Sequence, residues 1–315
     1  MNATEVLTFG ETMVSFRGAG PLSLGGTLTT RLAGAESNVA IGLARLGHAV
    51  SWAGRVGADP FGEMILRQLR AEGVDTSHAV IDPTRSTGLM FVEQRTADLT
   101  RVEYRRSGSA GSALSAEQML SALDRAPRML HLTGITPALS ASARECTRSM
   151  AASASAAGVL VTLDVNYRSR LWSRDEAREA LRPLVAHAGI VIASDDELDL
   201  VAAGPEPEAV AALMARGVRY VAVKRGSRGA TIHTGEGRVD LAALTVTAVD
   251  PIGAGDAFSA GLLSGFLDGL APEACLRRAV TSGAFAVSTR GDWEGAPTRA
   301  ELALLDDQTV GTTVR

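Results

Sequence analysis

Apolar positions fall into two alternating patterns along the chain. Short runs rich in Val, Ile and Leu occupy 6–10, 49–56, 129–132, 159–164, 190–193 and 219–224, each bounded by Gly, Asp or Asn. Continuous apolar runs of this length predict strands buried on both faces. Between them lie stretches with apolar residues every three to four positions, which predict helices over 39–46, 60–71, 140–157, 173–186 and 205–216. Gly47, Gly73 and Gly158 stand where helices stop. Asp59-Pro60 pairs an N-cap with proline at the first helical position, and Ser115-Ala116-Glu117-Gln118 and Ser173…Glu176 read as capping boxes. Repeated strand–helix units predict an α/β fold: a doubly wound, mostly parallel sheet with helices on both faces.

Two segments break this rhythm. Residues 13–18 and 26–32 alternate around a Gly/Pro-rich turn, and 87–94 and 101–106 also read as strands. Together they predict a small β lid, inserted at about 12–34 and 85–110 into a single domain over 1–300. Residues 301–315 are expected to form a C-terminal helix or tail. Residues 230–234 are expected to return as a hairpin partner of 219–224. The β-branched run 245–249 predicts a strand leading into a buried helix.

Composition narrows the function classes. With 315 residues, 46% of them apolar, and mean hydropathy +0.11, the chain can bury one large core. A net charge of −4 offers no basic field for nucleic acid. No apolar run reaches membrane-spanning length and the N-terminus lacks a signal pattern, so a soluble cytoplasmic protein is expected. Cys146 and Cys275 sit in helical patterns as buried filler. Lys224 is the single lysine among 31 basic residues; a site needing a compact ammonium and chance both account for it.

Candidate chemistry centres on Val249-Asp250-Pro251-Ile252-Gly253-Ala254-Gly255-Asp256-Ala257-Phe258. Small residues permit close backbone approach, and a helix start offers unpaired N–H groups to a phosphate. Asp256, in the first helical turn, is expected to be held ionised by the helix dipole and ready to accept a proton. A merely capping aspartate would look the same. Ligands of parallel sheets sit beyond the carboxyl ends of strands, and the other polar motifs fall there: Asp164-Val165-Asn166-Tyr167-Arg168, the capping-box pattern Ser194-Asp195-Asp196-Glu197, and Lys224-Arg225-Gly226-Ser227-Arg228-Gly229. Tyr104 and Arg106, two apart on a strand, share a face. They suit a sugar acid, or an ordinary exposed strand. No Walker A motif or His/Cys cluster is present, so a metal is expected to arrive with a nucleotide.

The 249–258 stretch resembles the D-T-x-G-A-G-D signature of the ribokinase-like (PfkB) carbohydrate kinases, with Pro251 where Thr is usual. Ala33-Gly34-Ala35-Glu36-Ser37-Asn38-Val39-Ala40 resembles that family's glycine-rich first signature, 54–62 its G-x-V-G-x-D-x-F-G segment, and 221–230 its V-K-x-G-x-x-G segment. Residues 164–172 and 291–297 resemble the D-x-N-x-R-x-x-L-W and G-D-x-E-G-A-P segments of its 2-keto-3-deoxygluconate kinases.

The resemblance implies a ribokinase-like fold whose lid closes over the sugar and pairs subunits into a homo-oligomer. It implies ATP-dependent phosphorylation of the 6-hydroxyl of a sugar acid, with Asp256 as base and Gly253, Ala254 and Gly255 as anion hole. Gly34, Asn38, Tyr104, Arg106, Arg168 and Asp292 would bind substrate. Ser194, Lys224, Gly226, Gly229, Gly253, Gly255 and Ser282 would bind ATP. Glu197 would hold Mg²⁺ through water, and Asp250, with carbonyls near Ser288, a monovalent cation such as K⁺. Met90 replaces a common tyrosine and Ser282-Gly283 a common Asn-Ala. A fructokinase or ribokinase acting on a neutral sugar, and a non-catalytic binding protein, are the alternatives.

Overall fold

Alternate side chains of each central strand enter two different cores. On β8 (Met129–Thr133), Leu130 and Leu132 pack to one side and Met129 to the other. On β10 (Ala188–Ser194), Val191 and Ala193 oppose Ile190 and Ile192. With both faces apolar, the sheet must be covered twice. The structure is a computed structural model and describes residues 4–96 and 99–305.

The remaining strands of the large sheet are β1 (Val6–Phe9), β4 (Val50–Gly57), β5 (Ala79–Asp82), β9 (Leu160–Asp164), β11 (Tyr220–Lys224), β12 (Ala230–Thr234) and β13 (Gly237–Leu241). Their order is β13-β12-β11-β10-β9-β8-β1-β4-β5. Pairing is parallel from β11 to β5 and antiparallel at β11–β12 and β12–β13. Helices α1 (Ala35–Arg45), α2 (Pro60–Ala71), α7 (Ala254–Leu267) and α8 (Pro272–Val287) contribute to one core. The short α3 (Ala116–Met119), α4 (Ala141–Ala156), α5 (Arg174–Leu181) and α6 (Glu206–Ala215) contribute to the other. Helix α7 is buried almost all round, and its Gly261 and Gly265 let α8 approach: a Cβ at Gly261 would lie 2.8 Å from the Arg278 carbonyl.

A second sheet is built from β2 (Met13–Ala19), β3 (Leu28–Ala33), β6 (Leu89–Thr96) and β7 (Leu99–Arg105), in the order β3-β2-β6-β7. These are the two segments whose pattern broke the strand–helix rhythm.

Several expectations are corrected. Residues 245–249 form no strand; the Val249 and Asp250 N–H groups both donate to the Val287 carbonyl, at 2.8 and 3.1 Å, instead of to a ladder. Edge strands β5 and β13 were not expected, because each is short and β13 is largely exposed. Ser115 makes no capping hydrogen bond, and α3 passes at once into a 3₁₀ turn at Leu120–Arg125. The Ser173 box is complete, but α5 gives way to 3₁₀ geometry at Arg182–His187, where Pro183 has no N–H to continue the ladder. Of the C-terminal segment, the described part is one 3₁₀ turn, Leu302–Leu304; residues 306–315 lie outside the described residues.

Candidate active site

The start of α7 is fixed by a glycine. Gly253 has φ +77°, and a Cβ there would run into the carbonyl of Asp292. Just before it, Asp250 Oδ1 accepts from the Ile252 N–H at 3.1 Å, a side-chain-closed turn. The Ala254 N–H reaches back to the Pro251 carbonyl at 3.4 Å. Asp256 follows one residue later and is buried.

Two amides hold the Asp256 carboxylate. Asn38, on α1, donates from Nδ2 to Oδ2 at 2.8 Å, and Asn166, in the loop after β9, points Nδ2 at Oδ1 from 3.5 Å. Asn166 adopts φ +39°, a left-handed conformation that asparagine tolerates. Burial pushes the Asp256 carboxyl up to about 7; the Asn38 hydrogen bond and the charges of Arg168 and Lys224 oppose that rise, and Asp164 adds to it. The expectation that Asp256 is held ionised is therefore corrected, because burial disfavours its charged form. A carboxyl poised near neutrality is suited to accepting a proton.

Lys224, at the end of β11, lies 2.9 Å from both oxygens of Asp164, and Ser259 on α7 donates to the same carboxylate at 2.8 Å. Burial works against the Lys224 ammonium, but Asp164, Glu197 and Asp256 outweigh it and its pKa is raised. Glu197 is also buried. Its Oε1 accepts from the Tyr167 N–H at 2.7 Å and its Oε2 from the Ser194 N–H at 2.8 Å. The predicted Ser194 capping box is thus half formed. Glu197 reaches back, but its own N–H bonds the Ser194 carbonyl at 3.0 Å, because a turn rather than an α-helix follows.

Two cavities meet at this point. The first, about 690 Å³, brings together Gly34, Asn38, Met90, Tyr104, Arg106, Arg168, Ser194, Glu197, Gly253, Asp256 and Asp292. The second, about 570 Å³, is a mainly apolar slot between Val246, Ala248, Phe258, Val280 and Val287, with Gly229, Ala254 and Gly283 on its walls. Lys224, Gly226, Pro251 and Gly255 line both. Ser282 lines neither: its Oγ is buried, without a hydrogen-bond partner, against the backbone of Gly261, and Gly283 takes the wall position.

The charged residues of the first cavity differ in their partners. Arg106 is neutralised by buried Glu11, at 2.6 Å, which also takes a hydrogen bond from Ser109, and its guanidinium stacks 5.6 Å from the Tyr104 ring. Arg168 is exposed, bonds only the Tyr167 carbonyl, and has no carboxylate partner among the described residues. Glu36, fully buried beneath Gly10, accepts from the Thr133 and Thr136 hydroxyls at 2.6 Å each; burial raises its pKa. Asp250 lines neither cavity. It bonds Arg17 of β2 at 2.8 Å, and Arg17 also bonds Asp292. Arg17, Glu11 and Glu36 were not singled out from the sequence. For Arg17 a signal existed: it lies two and four positions after Ser15 and Met13, so on an alternating strand it shares a face with Met13, which lines the first cavity.

The pfkB family of carbohydrate kinases matches residues 3–299. This chain belongs to that family. Among its relatives, the 2-dehydro-3-deoxygluconokinase of Bacillus subtilis (strain 168) is 36% identical over 306 residues, covering 95% of this chain and 94% of the relative. The crystal structure of a PfkB protein from Polaromonas sp. JS666 has a TM-score of 0.86 at 38% identity, covering 96% of this chain and 99% of that one. A chain from E. coli solved in complex with ATP and Mg²⁺ has a TM-score of 0.90 at 27% identity, with 96% and 99% covered. The kinase family and the ribokinase-like fold implied by the motifs are thus established. Among the described residues no helix is long and apolar enough to cross a membrane.

Proposed function

We propose that this carbohydrate kinase transfers the γ-phosphoryl group of ATP to the terminal, 6-hydroxyl of 2-keto-3-deoxygluconate or a close sugar acid. The carrying observation is a guanidinium without a carboxylate partner, that of Arg168, in the same cavity as the proton-accepting carboxylate Asp256. A neutral sugar gives such a cation nothing to pair with; a sugar acid does. The Bacillus subtilis relative's name points the same way.

In this reading the sugar acid fills the first cavity, against Gly34, Asn38, Tyr104, Arg106, Arg168 and Asp292, and the purine fills the apolar slot. Asp256 takes the proton of the attacking hydroxyl. The oxygen then attacks the γ-phosphorus as the bond to ADP breaks. The Gly253 and Gly255 N–H groups face the spreading negative charge, and Lys224 exchanges part of its bond to Asp164 for a phosphate oxygen. Gly226, with open space at its Cβ position, leaves room for the phosphates, and Gly229 and Ser194 stand beside them. Mg²⁺ brought with the nucleotide would neutralise phosphate charge. Glu197 would hold it through water as a hard oxygen donor, and no metal-holding cluster of three His, Cys, Asp or Glu occurs among the described residues, so phosphate oxygens would complete the site. A K⁺ at Asp250 does not fit, because the Arg17 guanidinium already bonds that carboxylate.

The small sheet would act as the lid over the sugar, and its outer face, with Leu28 and Leu99 exposed, as the surface that pairs subunits. A cytoplasmic setting would supply the ATP. The test is ADP release by the purified protein across sugar acids and neutral sugars. A kcat/KM for 2-keto-3-deoxygluconate or its galactonate epimer well above that for fructose and ribose is expected. Equal or better use of a neutral sugar would reject the sugar-acid assignment.

A further inference from the structure

Two carboxylates that belong to different parts of the fold share one cation. Asp250 precedes the turn into α7, and Asp292 lies in the turn after α8. Arg17 comes from β2 of the small sheet, 233 and 275 positions away in sequence. Its guanidinium bonds Asp250 Oδ2 at 2.8 Å and Asp292 Oδ1, and the Arg17, Asp250 and Asp292 side chains are only 19%, 13% and 4% exposed. Both acids also touch the anion-binding turn. Asp250 Oδ1 holds the Ile252 N–H, and the Asp292 backbone abuts Gly253 so closely that no side chain fits there.

We propose that Arg17 is a positioning residue for phosphoryl transfer. It is a built-in cation that pins the small sheet to the turn carrying Gly253 and Asp256, and it makes a monovalent metal ion at Asp250 unnecessary. Without it, the buried Asp292 and the half-buried Asp250 lose the cation they share, and the strand and the turn lose their common anchor. A lysine would supply charge at one point but not the two-pronged bond. The activity part of this inference rests on the kinase reading above; the tether itself does not.

The experiment uses the full chain and its Arg17→Met and Arg17→Lys variants, each checked for a cooperative thermal transition. Turnover is measured with saturating ATP and sugar acid in potassium and in tetramethylammonium chloride at equal ionic strength, with and without millimolar guanidinium. Hydrogen exchange of the β2 amides is followed in parallel without substrates. The wild type should turn over equally in both salts. Arg17→Met should lose about 100-fold in kcat, the scale of a misplaced reacting group, with less change in KM for ATP. Added guanidinium should restore part of the loss, Arg17→Lys should fall between, and β2 amides should exchange faster in Arg17→Met. A wild type that slows about tenfold on potassium removal (a change worth ~1.4 kcal/mol in the barrier) overturns the built-in cation. A Met variant with wild-type kcat overturns the positioning role. Wild-type exchange in β2 overturns the tether, and that arm holds even if no sugar is phosphorylated and the kinase reading itself fails.

Discussion

Asn38 Nδ2 lies 2.8 Å from Asp256 Oδ2, joining the start of α1 to the start of α7 across 218 positions of sequence. The amide donates to the ionised form of a carboxyl that burial has pushed up to about 7. Removing that donor disfavours the ionised form further. An Asn38→Leu variant is expected to keep its fold and to move the acidic limb of its kcat–pH profile to higher pH, with the alkaline side little changed. A limb that stays in place would separate Asn38 from the base.

The same raised pKa has a consequence for stability. The ordinary aspartate value is 3.8 and the folded value about 7. The folded state therefore binds this proton more tightly, so stability from protonation is complete below pH 3.8 and is lost as pH rises through 7. Asp256→Asn removes the buried charge. Its melting temperature should exceed the wild type's at pH 8, by on the order of a few degrees, and the gap should narrow as pH falls below neutrality. Scanning calorimetry at pH 5 and pH 8 measures both differences, and a gap that widens toward acid would contradict the sign.

Arg106 and Arg168, alike in sequence terms, should behave differently. Arg168 has no carboxylate to abandon, and Arg168→Met should raise KM for the sugar acid by about 10–100-fold, the worth of a charge-assisted hydrogen bond, while leaving a neutral sugar's KM nearly unchanged. Arg106→Met strands the 1%-exposed Glu11 side chain and should cost stability of about 3–5 kcal/mol, visible as a lower denaturation midpoint before any substrate is added.

Helix α7 depends on close approach by α8. The Arg278 carbonyl and the Ser282 hydroxyl leave no room for a side chain at Gly261. Gly261→Ala should destabilise by about 1–3 kcal/mol through overpacking. Urea titration of the variant would show this as a reduced midpoint with an unchanged slope.

Much of this architecture is legible in the residues because burial on both faces leaves an unmistakable trace. β9, β10 and β11 are near-continuous apolar runs, and Gly47, Gly73 and Gly158 end their helices at φ values of +90°, +81° and +74°. What escaped were elements whose partners lie elsewhere. The 245–249 run has strand-forming residues but spends its last N–H, that of Val249, on Val287, and Thr245, Val246 and Ala248 on a cavity wall. At the site, the motif residues converge as adjacency to strand ends leads one to expect. Side-chain pairing was not legible: nothing in the local sequence says that Arg17 belongs to Asp250 and Asp292, that Glu11 quenches Arg106, or that burial raises the pKa of Asp256. Those depend on contacts between distant segments, and only the assembled geometry supplies them.

The central claim is that Asp256, in the first cavity beside the Gly255 that lines both, takes the proton from the substrate's alcohol. Its most direct test is the Asp256→Asn variant in a coupled ADP-release assay with ATP and 2-keto-3-deoxygluconate, with both affinities measured separately by calorimetry. The account predicts that both ligands still bind close to wild-type strength while kcat falls by about 10²–10⁴-fold, the usual worth of a positioned base. A variant that binds both and turns over within a factor of a few of the wild type would contradict it.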